Sequence, residues 1–165
     1  MLLAEVARAS AAVSATTGRK AKVAEIAECL RAADPAEVPV VVAYLSGEPR
    51  QRRTGVGWAS LRDVPAAAAE PSLTVGEVDA TLERVAAVSG PGSQAERARL
   101  VGGLFERSTE PEQHLLRGLL TGELRQGALE GVMLDAVALA AQLPAADVRR
   151  AVMLGGAVGP VAAAA

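Results

Sequence analysis

Apolar positions along the chain recur mostly at three- and four-residue intervals, the spacing that lines up one face of a helix. Polar and glycine-bearing breaks divide them into a succession of short helices. The clearest is Glu110–Thr121, where Leu115, Leu116, Leu119 and Leu120 form the stripe, Thr109 and Glu112 stand at capping-box positions, and Gly122 supplies the stop. A following helix, from about Gly127 to Gln142, is expected to bury Val132, Ala136 and Leu139 or Ala140. Near the start, Leu2 to about Ser14 forms a first helix, which the run Ser14, Thr16, Thr17 and Gly18 breaks. A second begins near Arg19 with Val23, Ile26, Ala27 and Leu30 on its apolar face. Asp34-Pro35-Ala36-Glu37 combines an N-cap, a first-turn proline and a capping glutamate, which predicts a third helix through Ser46. The β-branched Val40, Val41 and Val42 keep a strand open as the alternative, although Pro39 fits a first helical turn better than a central strand.

Further helices are expected at Thr74–Val88, Ser93–Arg107 and Pro144–Met153, the first two with the capping pairs Thr74/Glu77 and Ser93/Glu96. Trp58–Leu61 reads as a short helical turn plugging into the core. The Ala/Pro-rich stretch Val64 to Ser72 is the natural boundary between two helical lobes of a single domain spanning residues 1–165. Ala157 to Ala165 reads as the beginning of an interdomain linker or a frayed terminus. No repeat period specifies a solenoid.

Composition sharpens this all-α reading. Half of the 165 residues are hydrophobic, yet only Tyr44, Trp58 and Phe105 are aromatic, so the core is built from Leu, Val and Ala, which suits closely packed helices. No apolar run approaches the roughly 20 residues of a bilayer span, and Glu5 and Arg8 interrupt any secretory leader; the expected location is cytoplasmic. Cys29 and His114 each occur once, which excludes an intrachain disulfide framework and a thiolate zinc site. Cys29 reads as core-adjacent and His114 as a helix-surface residue. The charge of −2, from 17 basic and 19 acidic residues, argues against a polybasic coat, so any contact with nucleic acid must be local.

The turns between helices carry the candidate chemistry. Arg125, Gln126 and Gly127 stand at a predicted helix N-terminus, where unpaired backbone N–H groups suit a phosphate oxygen. Gly55 and Gly57, and Gly92 with Ser93, occupy two further glycine turns that let a backbone come close to a ligand; read blandly, such glycines are ordinary C-caps. Ser93 either bonds a phosphate or caps its own helix. Arg50, Arg52 and Arg53 form a second basic cluster and Arg19, Lys20 and Lys22 a third, each equally readable as solvated surface. The carboxylates Glu110, Glu112 and Glu123 read as caps and solubilising groups rather than metal ligands, and neither GxxxxGK[ST] nor a full GxGxxG occurs.

Glu112-Gln113, the leucine-rich helix and Gly122-Glu123-Leu124-Arg125-Gln126-Gly127-Ala128 together resemble the N-terminal DNA-binding domain of ATP-dependent DNA ligases, of the actinobacterial type. So do Tyr44-Leu45-Ser46-Gly47-Glu48, Gly55-Val56-Gly57-Trp58, Leu73-Thr74-Val75, Gly90-Pro91-Gly92-Ser93, and Arg149-Arg150-Ala151 with Met153-Leu154-Gly155-Gly156, which extends the likeness over nearly the whole chain. The resemblance implies a multi-helix domain that embraces nicked duplex DNA across the minor groove during replication, repair and recombination. Adenylation and OB-fold domains would seal the nick with ATP and Mg²⁺. Neither Lys20 nor Lys22 lies in the Lys-x-Asp-Gly sequence that forms the family's lysyl-adenylate, so this chain by itself is expected to be no enzyme and to hold no cofactor. It is expected to act as a monomer, with Arg125, Gln126, Gly127, Gly92, Ser93, Arg53, Gly55, Gly57, Arg19 and Lys20 as DNA contacts. The alternatives are a helical protein–protein interaction module and, more remotely, a small enzyme using Cys29.

Overall fold

The computed structural model describes residues 1–51, 54–124 and 130–165. Its described elements are α1 (Leu3–Ala15), α2 (Arg19–Ala32), α3 (Val38–Leu45), a 3-10 turn (Trp58–Leu61), α4 (Val75–Ala87), α5 (Ser93–Arg107), α6 (Glu110–Thr121), α7 (Glu130–Ala141), α8 (Ala145–Gly155) and α9 (Val158–Ala164). Among the described residues there is no strand, only an isolated bridge between Leu2 and Thr74. That bridge stitches the chain's first residues to the start of α4, with the Leu3 amide donating to the Leu73 carbonyl at 2.8 Å and the Val75 amide to the Met1 carbonyl at 3.1 Å.

The all-α expectation is met, and α3 is a helix in spite of its valines. α2 lies along α7, α1 packs on α2 and α6, α3 on α9, and α4 on α5. Between them sits an aliphatic core punctuated by the fully buried Tyr44 and Phe105. Cys29 is part of that core, where burial pushes its thiol up to about 11. Among the described residues no single helix is long and apolar enough to cross a membrane.

Several local details differ from the sequence reading, each for a physical reason. α3 starts at Val38, not at Pro35, because residues 34–37 form a tight turn and the Glu37 carboxylate accepts from the Met1 ammonium instead of closing a capping box. α5 takes Gly92, at φ +80°, as its N-cap, and Ser93 makes no side-chain cap bond; Glu96 turns away to Arg99 at 2.6 and 2.8 Å. Glu112 is fully buried, so it is no solubilising group: its Oε2 accepts from the backbone amide and hydroxyl of Thr109 at 2.8 and 2.7 Å. Val132 and Ala136 are buried in α7 as expected, and of the alternatives Leu139 and Ala140 it is Ala140 that packs, partly buried, against the core, while Leu139 is 45% exposed. The alanine-rich tail is helix α9, packed on α3, where a Cβ on Gly159 would lie 3.5 Å from Pro39.

The segment from Val64 to Ser72 is tied to the α5–α6 corner. The Ala68 amide donates to the Ser108 carbonyl at 2.8 Å, and the buried Gln113 amide group donates to the carbonyls of Pro65 at 3.1 Å and Phe105 at 2.9 Å. These bonds satisfy polar groups that would otherwise be costly at a buried corner.

Candidate nucleic-acid interface

Arg125, Gln126 and Gly127 lie outside the described residues, as do Arg52 and Arg53. Residues 122–124 lead from the end of α6 into the first of these segments. Gly122 ends α6 in the left-handed conformation at φ +70°, and the Glu123 amide then donates to the Gly118 carbonyl at 3.0 Å. Leu124 drops between two glycines. A Cβ on Gly118 would lie 2.8 Å from the Leu124 side chain, and one on Gly47, itself at φ +80°, would lie 2.8 Å from the Leu124 carbonyl oxygen. Gly47 is therefore needed for this close approach, since its clash is with backbone, whereas at Gly118 the nearest atom is the movable end of the leucine side chain. The Trp58 indole N–H donates to Glu123 at 3.2 Å, so the 3-10 turn is tied to the same place. Leu61 is buried in that turn, but Trp58 is 54% exposed: the turn enters the core through its leucine and leaves its tryptophan at the surface.

Gly55 and the Gly90–Ser93 turn are joined through a residue the sequence reading passed over. Arg97, one turn into α5, lays its guanidinium against Gly55, where a Cβ would sit 3.2 Å from Arg97 Nε, and donates through Nη2 to the Val88 carbonyl. Gly55, at φ +67°, thus has both a conformational and a steric reason to be glycine. Gly57 precedes the 3-10 turn with open space around its α-carbon, and Gly92 is likewise open. Both glycines are exposed.

The basic clusters divide by partner. Arg50 is engaged by the buried Asp79 through both carboxylate oxygens, and Gln51 donates to the same carboxylate at 2.9 Å and to Glu83 at 3.2 Å. The Asp79 bond holds the Arg50 guanidinium further above its already high range. Behind them, burial pushes the Tyr44 phenol far above its usual value; the Asp79 charge adds to this and Arg50 opposes it. Arg50 therefore fastens the 47–51 segment to α4. Arg19 donates to Asp135 at 2.7 Å and to the Gly131 carbonyl at 2.9 Å, and Arg149 donates to the other Asp135 oxygen. Lys20 and His114 are exposed. Among the described residues no cluster of His, Cys, Asp or Glu is arranged to hold a metal.

Two features were thus absent from the sequence reading: Arg97 and the pairing of Arg19 with Arg149 across one carboxylate. The only signal for Arg97 was its place one turn after a glycine-rich corner. For the second, Arg19 and Asp135 are 116 positions apart, beyond the reach of any local pattern.

Comparison with known proteins brings in independent findings. The family described as DNA ligase N terminus matches residues 62–138. A probable DNA ligase of Mycolicibacterium gilvum is 62% identical over 165 residues, covering 100% of this chain and 32% of the relative. One from Beutenbergia cavernae is 59% identical over 165 residues with the same coverage. One from Mycobacterium marinum is 57% identical over 166 residues, covering 99% of this chain and 32% of the relative. The chain spans about a third of the length of the curated relatives it matches.

Proposed function

Because the chain belongs to the family of DNA ligase N-terminal domains, we propose that it binds nicked duplex DNA without regard to sequence and positions the nick for adenylation and OB-fold domains of the same ligase. The observation that carries this reading is the match of the whole chain to about a third of the length of probable DNA ligases. In this reading the chain grips and does not seal. It has no Lys-x-Asp-Gly lysine, so ATP and Mg²⁺ act in the catalytic part of the enzyme. The chain works as a monomer in the cytoplasm.

The physical logic rests on local contacts. With a charge of −2 the chain cannot hold DNA by a general positive field, so arginines and open backbone at a few turns must meet the phosphates. Arg125, Gln126 and Gly127, with Arg53, Gly55, Gly57, Gly92 and Ser93, are the contacts this reading assigns, and Arg19 and Lys20 are assigned on a further face. The chain enters the Arg125 segment from Leu124, whose fixed seat between Gly47 and Gly118 gives that contact a defined origin. Phosphate contacts of this kind set register on the duplex and carry no base information.

Fluorescence anisotropy with nicked, intact and single-stranded DNA of several unrelated sequences tests the reading. Salt-sensitive duplex binding that is tighter to nicked DNA and indifferent to sequence is expected. Arg125→Ala should weaken binding uniformly and reduce the salt slope by about 0.9, the loss of one phosphate contact. Absence of duplex binding at low salt, alone and when joined to an adenylation domain, would overturn it. A second reading, a helical protein-interaction module, is favoured by Met153 and Leu154 at the end of α8, each 85% exposed; it predicts partner capture that DNA does not compete away.

A further inference from the structure

Three helices converge on one carboxylate. Asp135 of α7 accepts from Arg19 of α2 through one oxygen and from Arg149 of α8 through the other. The Gly131 carbonyl holds Arg19 in place from the side, and a Cβ at Gly131 would already be 3.4 Å from Arg19 Nη2. Two guanidiniums on the two oxygens of a single anion is also the arrangement that would clasp the two non-bridging oxygens of a phosphodiester. We propose that Arg19 and Arg149 form a binding site for a backbone phosphate of duplex DNA, and that Asp135 occupies it in the free protein as an internal stand-in. This rests on the DNA-binding reading above.

The energetics permit exchange. Both arginine side chains are about half exposed, 58% for Arg19 and 48% for Arg149, while Asp135 is 25% exposed. Exposed pairs of this kind contribute little to stability, so an incoming phosphate displaces a weak partner. A buried pair would be a different matter, since separating its charges is expensive. Lys20 follows Arg19 and Arg150 follows Arg149 in the chain, both exposed. Against them stand Asp135 itself, Glu130 at the start of α7 and Asp147 in the first turn of α8. Asp135 thus masks two cations in a chain whose overall balance is acidic, and its release on DNA binding makes the positive face conditional on the ligand.

The test measures duplex affinity by anisotropy at several salt concentrations for the 165-residue chain and its variants, each checked for helicity. Asp135→Asn is expected to tighten binding about three- to ten-fold at low salt, because the phosphate no longer has to displace a carboxylate, while the salt slope stays near that of the parent because the same phosphate is neutralised. Glu106→Gln, an equal change of charge at an exposed position on α5, is expected to leave the affinity unchanged. Adding Arg19→Ala to Asp135→Asn should abolish the gain, and Arg149→Ala alone should weaken binding and flatten the slope by about 0.9. If the parent chain binds duplex and Asp135→Asn binds no tighter than the Glu106→Gln control, or Arg149→Ala changes nothing, the site is refuted and the DNA-binding reading stands. If neither the parent nor Asp135→Asn binds duplex at low salt, alone or joined to an adenylation domain, both fall.

Discussion

The segment from Gly47 to Leu61 and the face built by α2, α7 and α8 both carry arginines beside turns assigned to DNA, but they are fastened by different physics. The first is held by steric seats and a buried carboxylate: Leu124 between two glycines, Arg97 over Gly55, and Arg50 with Gln51 on Asp79. The second is held at its surface by half-exposed ion pairs on Asp135. Steric seats fix a backbone at a cost to stability when altered. Exposed charges fix little, and their arginines stay available to another anion.

This contrast can be broken in graded steps. The largest effect is expected from Gly47→Ala, which both places an L-residue at φ +80° and brings its Cβ against the Leu124 carbonyl oxygen. A loss of about 2 kcal/mol or more should appear as a shifted urea midpoint at unchanged slope. Arg50→Ala comes next: it leaves the buried Asp79 to Gln51 alone, at a cost of about 1 kcal/mol once the exposure of Arg50 is allowed for, by the same measurement.

An intermediate case lies at the start of α4. The Thr74 backbone and hydroxyl bonds, and then the pair with Arg107, hold the exposed Glu77 carboxyl below its usual range. A depressed carboxylate contributes stability that is present at neutral pH and lost as pH falls through its folded value. The melting temperature of the parent should therefore exceed that of Glu77→Gln at pH 7, and the gap should close in acid. The smallest effect is expected from Arg19→Ala, within about 0.5 kcal/mol of the parent in urea unfolding. A large loss there would mean that the α2–α7–α8 face is a structural clamp, and the distinction between the two regions would disappear.

The helices were legible because their signals are local. Thr74 and Glu77 form the expected reciprocal cap, with the Glu77 amide donating to Thr74 Oγ1 at 3.2 Å and the Thr74 amide to Glu77 at 2.9 Å, and Gly122 ends α6 where its left-handed conformation is required. The same kind of motif at Ser93 and Glu96 fails because Arg99 lies one turn on and offers Glu96 a charged partner, while Gly92 supplies the helix start. At Thr109 and Glu112 it succeeds in a buried setting that composition does not reveal. Position within the fold decides between these outcomes, and three residues of spacing carry no information about it.

The candidate site was legible only in part. Glycine turns announce themselves in one dimension, and Gly55 and Gly92 do lie at turns, with Gly55 against α5. Which arginines face one another is set by helices that meet only after folding, so Arg19, Asp135 and Arg149 gave no sign of their association. Helix α9 was missed for a related reason: alanine reads as a spacer until another surface, here α3, gives it something to pack against.

The burial of Cys29 has a practical use. It is the sole cysteine, it lies in the core, and its thiol is pushed up to about 11, so at neutral pH it offers almost no thiolate to an alkylating dye. A cysteine introduced on an exposed helix face can therefore carry a fluorophore alone, with the native thiol left in place. The protein is already suited to single-site labelling, and the distance between a labelled α5 and a labelled duplex can be followed as DNA is engaged.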